Sequence, residues 1–264
     1  MYGKSDVSFP RRIACLSAAH VDICRALGAG ERLVEAADDL GPGSAGERDQ
    51  AGPARARVER VIALEPDLVL AFSDEQAEDC AELIRAGATV LATNQRSLDD
   101  ILRAISIVGG ALGLHGAALD LVQDIRDEIR QVREYSSMWP RRPRVYFEEW
   151  PEPLVAGSRW VSEVIEIAGG RDVFPELRER RWADERAVDA DEVARRNPDL
   201  IVACWRGRPV ALDVITGRPG WQSVSAVRSG HVHEMDAADI LCPGPSILAG
   251  LRRIHELVQS SLEA

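Results

Sequence analysis

Val58-Glu-Arg-Val-Ile-Ala-Leu-Glu-Pro-Asp-Leu-Val-Leu-Ala-Phe72 returns 132 residues later as Ala190-Asp-Glu-Val-Ala-Arg-Arg-Asn-Pro-Asp-Leu-Ile-Val-Ala-Cys204, with Pro66-Asp67-Leu68 recurring as Pro198-Asp199-Leu200. Each copy reads as a helical stretch stopped by proline, which cannot continue a helix, and then as a short unbroken apolar run suited to a strand covered on both faces. Working outward, Arg12-Ile-Ala-Cys-Leu-Ser17 is another buried strand, followed by a helix over 21–27 that ends at Gly28-Ala-Gly30. A strand begins near Leu33, and helix 75–86, Gly87 and strand 88–92 complete a βαβ pattern.

These pieces also return in order. Strand 12–17 is echoed by Arg144-Val-Tyr-Phe-Glu148, the stretch 26–34 by 167–174, and strand 88–92 by Gly230-His-Val-His-Glu-Met235. Any two α/β domains share such fragments, but recurrence of four in one order predicts two related lobes, each a Rossmann-like parallel sheet flanked by helices. Leu98–Ser137 between them reads as helical, interrupted only at Gly109-Gly110, Gly113 and Gly116. From Gly116 onward Ala118, Leu121, Val122, Ile125, Ile129 and Val132 form one apolar face, with Asp120, Asp124, Asp127 and Arg130 opposite. This predicts a backbone helix of about 20 residues, roughly 30 Å. The expected organisation is an α/β lobe over 1–96, a helical linker over 97–138 and a second α/β lobe over 139–264.

With 45% hydrophobic and 28% charged residues, the 264-residue chain has the make-up of a globular protein with room for two lobes. A net charge of −11 disfavours nucleic acid as a partner. The five cysteines include no CxxC pair, so neither a disulfide framework nor a zinc site is indicated. No stretch is long and apolar enough for a membrane span, and Met1–Pro10 lacks the apolar core of a secretory signal, so as written the chain is expected to stay in the cytoplasm. There is no GxSxG, HExxH, P-loop or GxGxxG after a strand, and no enzyme is expected. The rival class is a cytosolic corrinoid- or tetrapyrrole-handling carrier or chelatase-like enzyme on the same two-lobed plan.

The order of lobe, long helix and lobe, with Glu59–Phe72 in the first half and Glu163-Val-Ile-Glu-Ile-Ala-Gly-Gly-Arg-Asp-Val-Phe174 in the second, resembles the helical-backbone metal-chelate receptors. These are the class III periplasmic substrate-binding proteins of ABC importers for vitamin B12, haem and ferric siderophores. The resemblance covers about residues 11–260 and is strongest to the vitamin B12-binding branch. It implies a monomer in the periplasm or outside the cell, a permease partner, no resident cofactor, and a flat metal chelate, cobalamin or a related corrinoid, held in a cleft by loops at the strand carboxyl ends. The helical tether implies that the lobes close by a small angle only.

Open parallel sheets bind ligands at those ends, and a large apolar ring system favours aromatic walls. Phe72, Trp150 and Trp205 end or follow strands, and Trp160 opens a helix where the repeat matches it to His20. Any one of these aromatics could equally be a packing residue; together their placement favours ligand contact. The resemblance matches Phe72 and Trp182 to aromatic cleft positions, Asp239 to a polar contact, and Cys242 to a place where arginine is often found. His20 is a candidate axial metal ligand, as are His231 and His233 more weakly; no protein-held metal site is otherwise expected. The family carries tyrosine and tryptophan where this chain has none between Ala37 and Ala54. Glu59 and Asp191, each seven residues before its proline, match the carboxylates that dock onto permease arginines in the family.

Overall fold

The computed structural model describes residues 9–35 and 54–263. The chain divides into two compact units, Met1–Gln95 with Asp99–Asp124, and Arg96–Leu98 with Ile125–Ala264.

The first unit holds β1 (Ile13–Cys15), β2 (Leu33–Glu35), β3 (Leu68–Phe72) and β4 (Val90–Thr93), all parallel in the order β2-β1-β3-β4. The connecting helices are α1 (Ala18–Ala26), α2 (Ala54–Ala63) and α3 (Ala77–Arg85). Because both faces of the sheet are covered, the central strands are continuous apolar runs: Ile13, Ala14, Cys15, Val69, Leu70 and Ala71 are fully buried. One face, with Ala14, Leu16, Val69 and Ala71, packs on Val58 and Val61 of α2 and Cys80 and Leu83 of α3.

The Pro-Asp-Leu corner explains the repeat. Asp67 Oδ2 accepts the backbone N–H groups of Arg11 and Arg12 at 2.8 and 3.0 Å, and the Arg12 guanidinium donates to the carbonyls of Leu64 and Glu65 at 2.6 and 3.1 Å. A helix leaves its last carbonyls without intrahelical partners. The arginine that opens β1 therefore closes α2, while the aspartate takes up the strand's first amides. The same atoms meet in the second unit: Asp199 Oδ2 accepts the Arg144 N–H at 2.8 Å, and the Arg144 guanidinium donates to the Arg196 carbonyl at 3.3 Å and to both Asp199 oxygens. Glu65 and Asn197, the residues before the two prolines, have φ of 46° and 47°. Strand register repeats too, Ile13 opposite Leu68 and Val145 opposite Leu200. Burial alone would raise Asp199, but hydrogen bonds and charge from Arg144 outweigh it and hold the carboxyl below its ordinary value.

The helical segment is two helices, α4 (Leu98–Ala111) and α5 (His115–Ser137), and the division of the chain falls within α5. Of the glycines expected to interrupt it, Gly113 alone does, at φ +73°; Gly109-Gly110 and Gly116 are helical. Gly109 is needed for contact instead, since a Cβ there would lie 2.3 Å from that of Ala118. The 23 residues of α5 span about 34 Å.

The second unit carries β5 (Arg144–Pro151), β6 (Leu154–Ala156), β7 (Arg171–Asp172), β8 (Ala187–Val188), β9 (Leu200–Ala203) and β10 (Val232–Glu234), with the main path β10-β9-β5-β6-β8 and β7 beside β5. The expectation of a wholly parallel sheet needs correction here. β7, β9 and β10 are parallel neighbours, but β6 runs antiparallel to β5 and β8 antiparallel to β6. The cause is a hairpin: β5 continues past Glu148 and folds back as β6, lengthening the route from strand to helix. The helix C-cap turn at Gly28 accordingly recurs at Gly169, an offset of 141, before the offset returns to 132 at Asn197. The helices are α6 (Arg159–Ile167), α7 (Ala190–Arg196), α8 (Leu212–Thr216), α9 (Ser225–Ser229), α10 (Ala237–Ile240) and α11 (Ile247–Glu263). The core gathers Tyr146, Phe174, Trp205 and Trp221, with Tyr146 edge-on to Phe174 and Trp221 at 5.8 and 6.2 Å. Within this unit Glu128 of α5 pairs with Arg252 of α11 through two 2.5 Å hydrogen bonds.

Candidate functional site

The carboxyl edge of the first sheet is built on His20. Thr93 Oγ1 donates to Gln95 Oε1 at 2.7 Å, so it accepts from His20 Nε2–H at 2.9 Å, which leaves Nδ1 to accept from the Ser17 hydroxyl at 2.8 Å. The ring is wholly buried, and desolvation lowers its pKa to about 4. Both nitrogens are engaged inside the unit, so as placed the imidazole offers no lone pair to a metal, and the axial-ligand expectation gains no support. Ser17 supplies its hydroxyl to the ring and does not cap α1 with its side chain.

Phe72 ends β3 directly opposite Thr93 and is half-buried. Its N–H donates to Gln76 Oε1 at 2.8 Å, and Gln76 Nε2 donates to the Leu16 carbonyl at 2.6 Å, tying the ends of β1 and β3 together. Ser73 follows at φ 60°, ψ −179°, a conformation almost confined to glycine that costs about 1–3 kcal/mol and is found where structure around a site enforces it. Nothing in the sequence signalled this residue.

At the carboxyl edge of the second sheet, Glu148 ends the parallel part of β5 fully buried. It accepts two hydrogen bonds from Arg218 at 2.5 and 2.8 Å and one from Trp205 Nε1 at 3.0 Å. Arg218 also stands over Trp221 at 4.6 Å. Glu149 pairs with the buried Arg186 at 2.6 Å, and that arginine also donates to the Ala156 carbonyl. Neither ion pair was foreseen, because Arg186 and Arg218 reach the strand end from distant loops.

The tryptophans divide. Trp205 is 4% exposed and Trp160 is 7% exposed, with Trp160 Nε1 donating to the Ile240 carbonyl at 2.8 Å; both are core rings with satisfied polar edges. Ser17 and Ser158 are the residues preceding α1 and α6, which places Trp160 level with Ala19 and shifts by one the expected match to His20. Trp150 is half-buried, donating Nε1 to the Glu152 carbonyl at 3.0 Å, and Arg208 brings it together with Trp205. Trp182 is half-buried in a separate loop, its N–H donating to Glu185 and the Arg181 guanidinium 5.1 Å from its ring.

Asp239 in α10 and Cys242 just after it are half-buried beside the Ile240 carbonyl that holds Trp160. Burial, then the neighbouring Asp236, raises the Asp239 carboxyl. His231 and His233 lie 6.2 Å apart about β10, and burial foremost lowers His233. Glu59 on α2 and Asp191 on α7 are exposed at positions related by the 132-residue offset. The stretch 37–54 compared with the family's tyrosine and tryptophan falls, but for the backbone of Ala54, outside the described residues. Among the described residues no three His, Cys, Asp or Glu side chains gather as a metal-binding group, and no helix is long and apolar enough to cross a membrane.

A family description, "Periplasmic binding protein", matches residues 13–238. Similar curated proteins include the uncharacterized ABC transporter substrate-binding lipoprotein YvrC of Bacillus subtilis, 24% identical over 94% of this chain and 80% of its own length. The vitamin B12-binding protein of Vibrio parahaemolyticus is 25% identical over 94% of this chain and 90% of its own length. Among solved structures, the periplasmic heme-binding protein RhuT of Roseiflexus sp. RS-1 matches with TM-score 0.79 at 20% identity, over 96% and 99% of the two chains. The periplasmic vitamin B12-binding protein BtuF of Vibrio cholerae matches with TM-score 0.74 at 20% identity, over 97% and 99%. At such identity the structural likeness speaks for the fold; the family match, running over most of the chain and through both repeats, makes this protein a member of the periplasmic binding protein family.

Proposed function

We propose that this protein captures a metal chelate, cobalamin or a related corrinoid, for an ABC importer and releases it unchanged. The observation that carries this reading is the likeness to vitamin B12-binding proteins over nearly the whole of both chains. Partly exposed aromatic rings at the carboxyl edges, Phe72 in one unit and Trp150 in the other, support it, since such edges are where open α/β sheets receive ligands. Trp182, Asp239 and Cys242 are the further proposed contacts. Trp160, Trp205 and His20 act from beneath, as supports for the loops above them. Glu59 and Asp191, exposed at equivalent helix positions, are the proposed permease contacts. On family membership we place the chain in the periplasm or outside the cell, in place of the cytoplasmic expectation drawn from its first ten residues.

Haem is the second reading, favoured by the fold likeness to heme-binding proteins. Titration of the purified protein against cyanocobalamin, hydroxocobalamin, haemin and a ferric hydroxamate, followed by absorbance, tests both. Stoichiometric uptake of a corrinoid recovered intact is the expected result. Preference for haemin selects the second reading, while chemical conversion of a tetrapyrrole would replace both with the carrier or chelatase-like class.

A further inference from the structure

The carboxyl edge of the second sheet carries a guanidinium that the reading above leaves unused. Arg208 is exposed, five residues past the end of β9, and its backbone N–H donates to the Trp205 carbonyl at 3.3 Å. Its Cζ stands 5.6 Å from the Trp150 ring centroid and 5.4 Å from that of Trp205, inside the roughly 6 Å reach of cation–π attraction. Carboxylates at the same strand ends are committed elsewhere: Glu148 to Arg218 and Trp205, Glu149 to Arg186, and Glu234 to the Val210 N–H. Among the described residues no carboxylate pairs with Arg208. Ring faces hold a guanidinium through its π surface and leave its forked N–H donors for another partner, and that fork matches the oxygens of carboxylate or phosphate.

We propose that Arg208, steadied by Trp150 and Trp205, recognises an anionic oxygen group on the rim of the bound chelate. The inference rests on the metal-chelate reading and adds a charge requirement to it. Two sources share this chemistry, the phosphodiester of a complete cobalamin and the carboxylates of a tetrapyrrole.

The test titrates wild type, Arg208→Met and Arg208→Lys with two probe pairs: cyanocobalamin against dicyanocobinamide, which lacks the phosphodiester, and haemin against its dimethyl ester. In at least one pair, Arg208→Met is expected to weaken the anionic member by about ten- to hundredfold and leave its counterpart nearly unchanged. Arg208→Lys should retain part of the affinity and show a steeper loss with salt. The pair that responds identifies the source. Equal weakening of both members, or no weakening in either pair, overturns the proposal and makes Arg208 a packing residue. If wild type binds none of the four probes, the chelate reading itself fails and takes this one with it. The urea midpoint of each variant, expected to match wild type because the side chain is exposed, separates lost binding from lost folding.

Discussion

Ser17, His20, Thr93 and Gln95 form a directed chain in which Ser17 donates to the ring and the Thr93 hydroxyl accepts from it and donates onward to Gln95, and burial favours the neutral imidazole. A folded-state pKa of about 4 against about 6.5 unfolded means that the unfolded chain takes up the proton first as pH falls. The associated stability is therefore present above pH 6.5 and is lost on going down to about pH 4, a change of about 3 kcal/mol. Urea midpoints measured across that window should fall in wild type and fall less in His20→Gln. The tryptophans should part in the same kind of measurement. Trp205→Ala removes a core ring and should cost about 3–5 kcal/mol, whereas Trp150→Ala should leave the midpoint almost unmoved and weaken chelate binding about tenfold. None of this division could be seen in the chain itself. Both tryptophans follow a strand end, and what distinguishes them is Glu148, brought to Trp205 from 57 residues away; His20 likewise meets Thr93 across 73 residues.

Elements were far more legible than contacts. The βαβ order, the amphipathic face of α5 and the pairing of the two Pro-Asp-Leu strands follow from periodicity and proline placement, because those signals are local. The hairpin of β5 and β6 was missed for the same reason: Leu154–Ala156 is only three residues long, too short to carry a period, and its direction depends on the partner it meets. The corner between helix and strand offers a direct check on the energetics. Glu65 and Asn197 share a left-handed backbone, which costs glutamate more than asparagine. Glu65→Gly should therefore raise stability by about 0.5–1 kcal/mol in urea denaturation, while Asn197→Gly should lower it by about 1 kcal/mol, because Asn197 Oδ1 also accepts the Ser225 N–H at 2.8 Å.

For the protein as a whole, the decisive separation is between capture and delivery. Replacing Glu59 and Asp191 together by alanine should leave chelate affinity and the folding midpoint unchanged and abolish association with the permease, measured by pull-down with detergent-solubilised transporter; undiminished association would remove these two carboxylates from the interface. The two-lobed fold was readable from the repeat and the family from its resemblance to known receptors, whereas the ligand was not, since loop residues make few local patterns. The doubled Arg-Asp latch has an evolutionary consequence. An ancestral half-length gene, once duplicated, would have to conserve its corner in both descendants, because helix end and strand start are satisfied there by one another's atoms. The extra nine residues between Glu148 and Ser158 lie outside that corner. New cargo specificity can thus arise by exchanging rim segments of one descendant, with the inherited corner left intact.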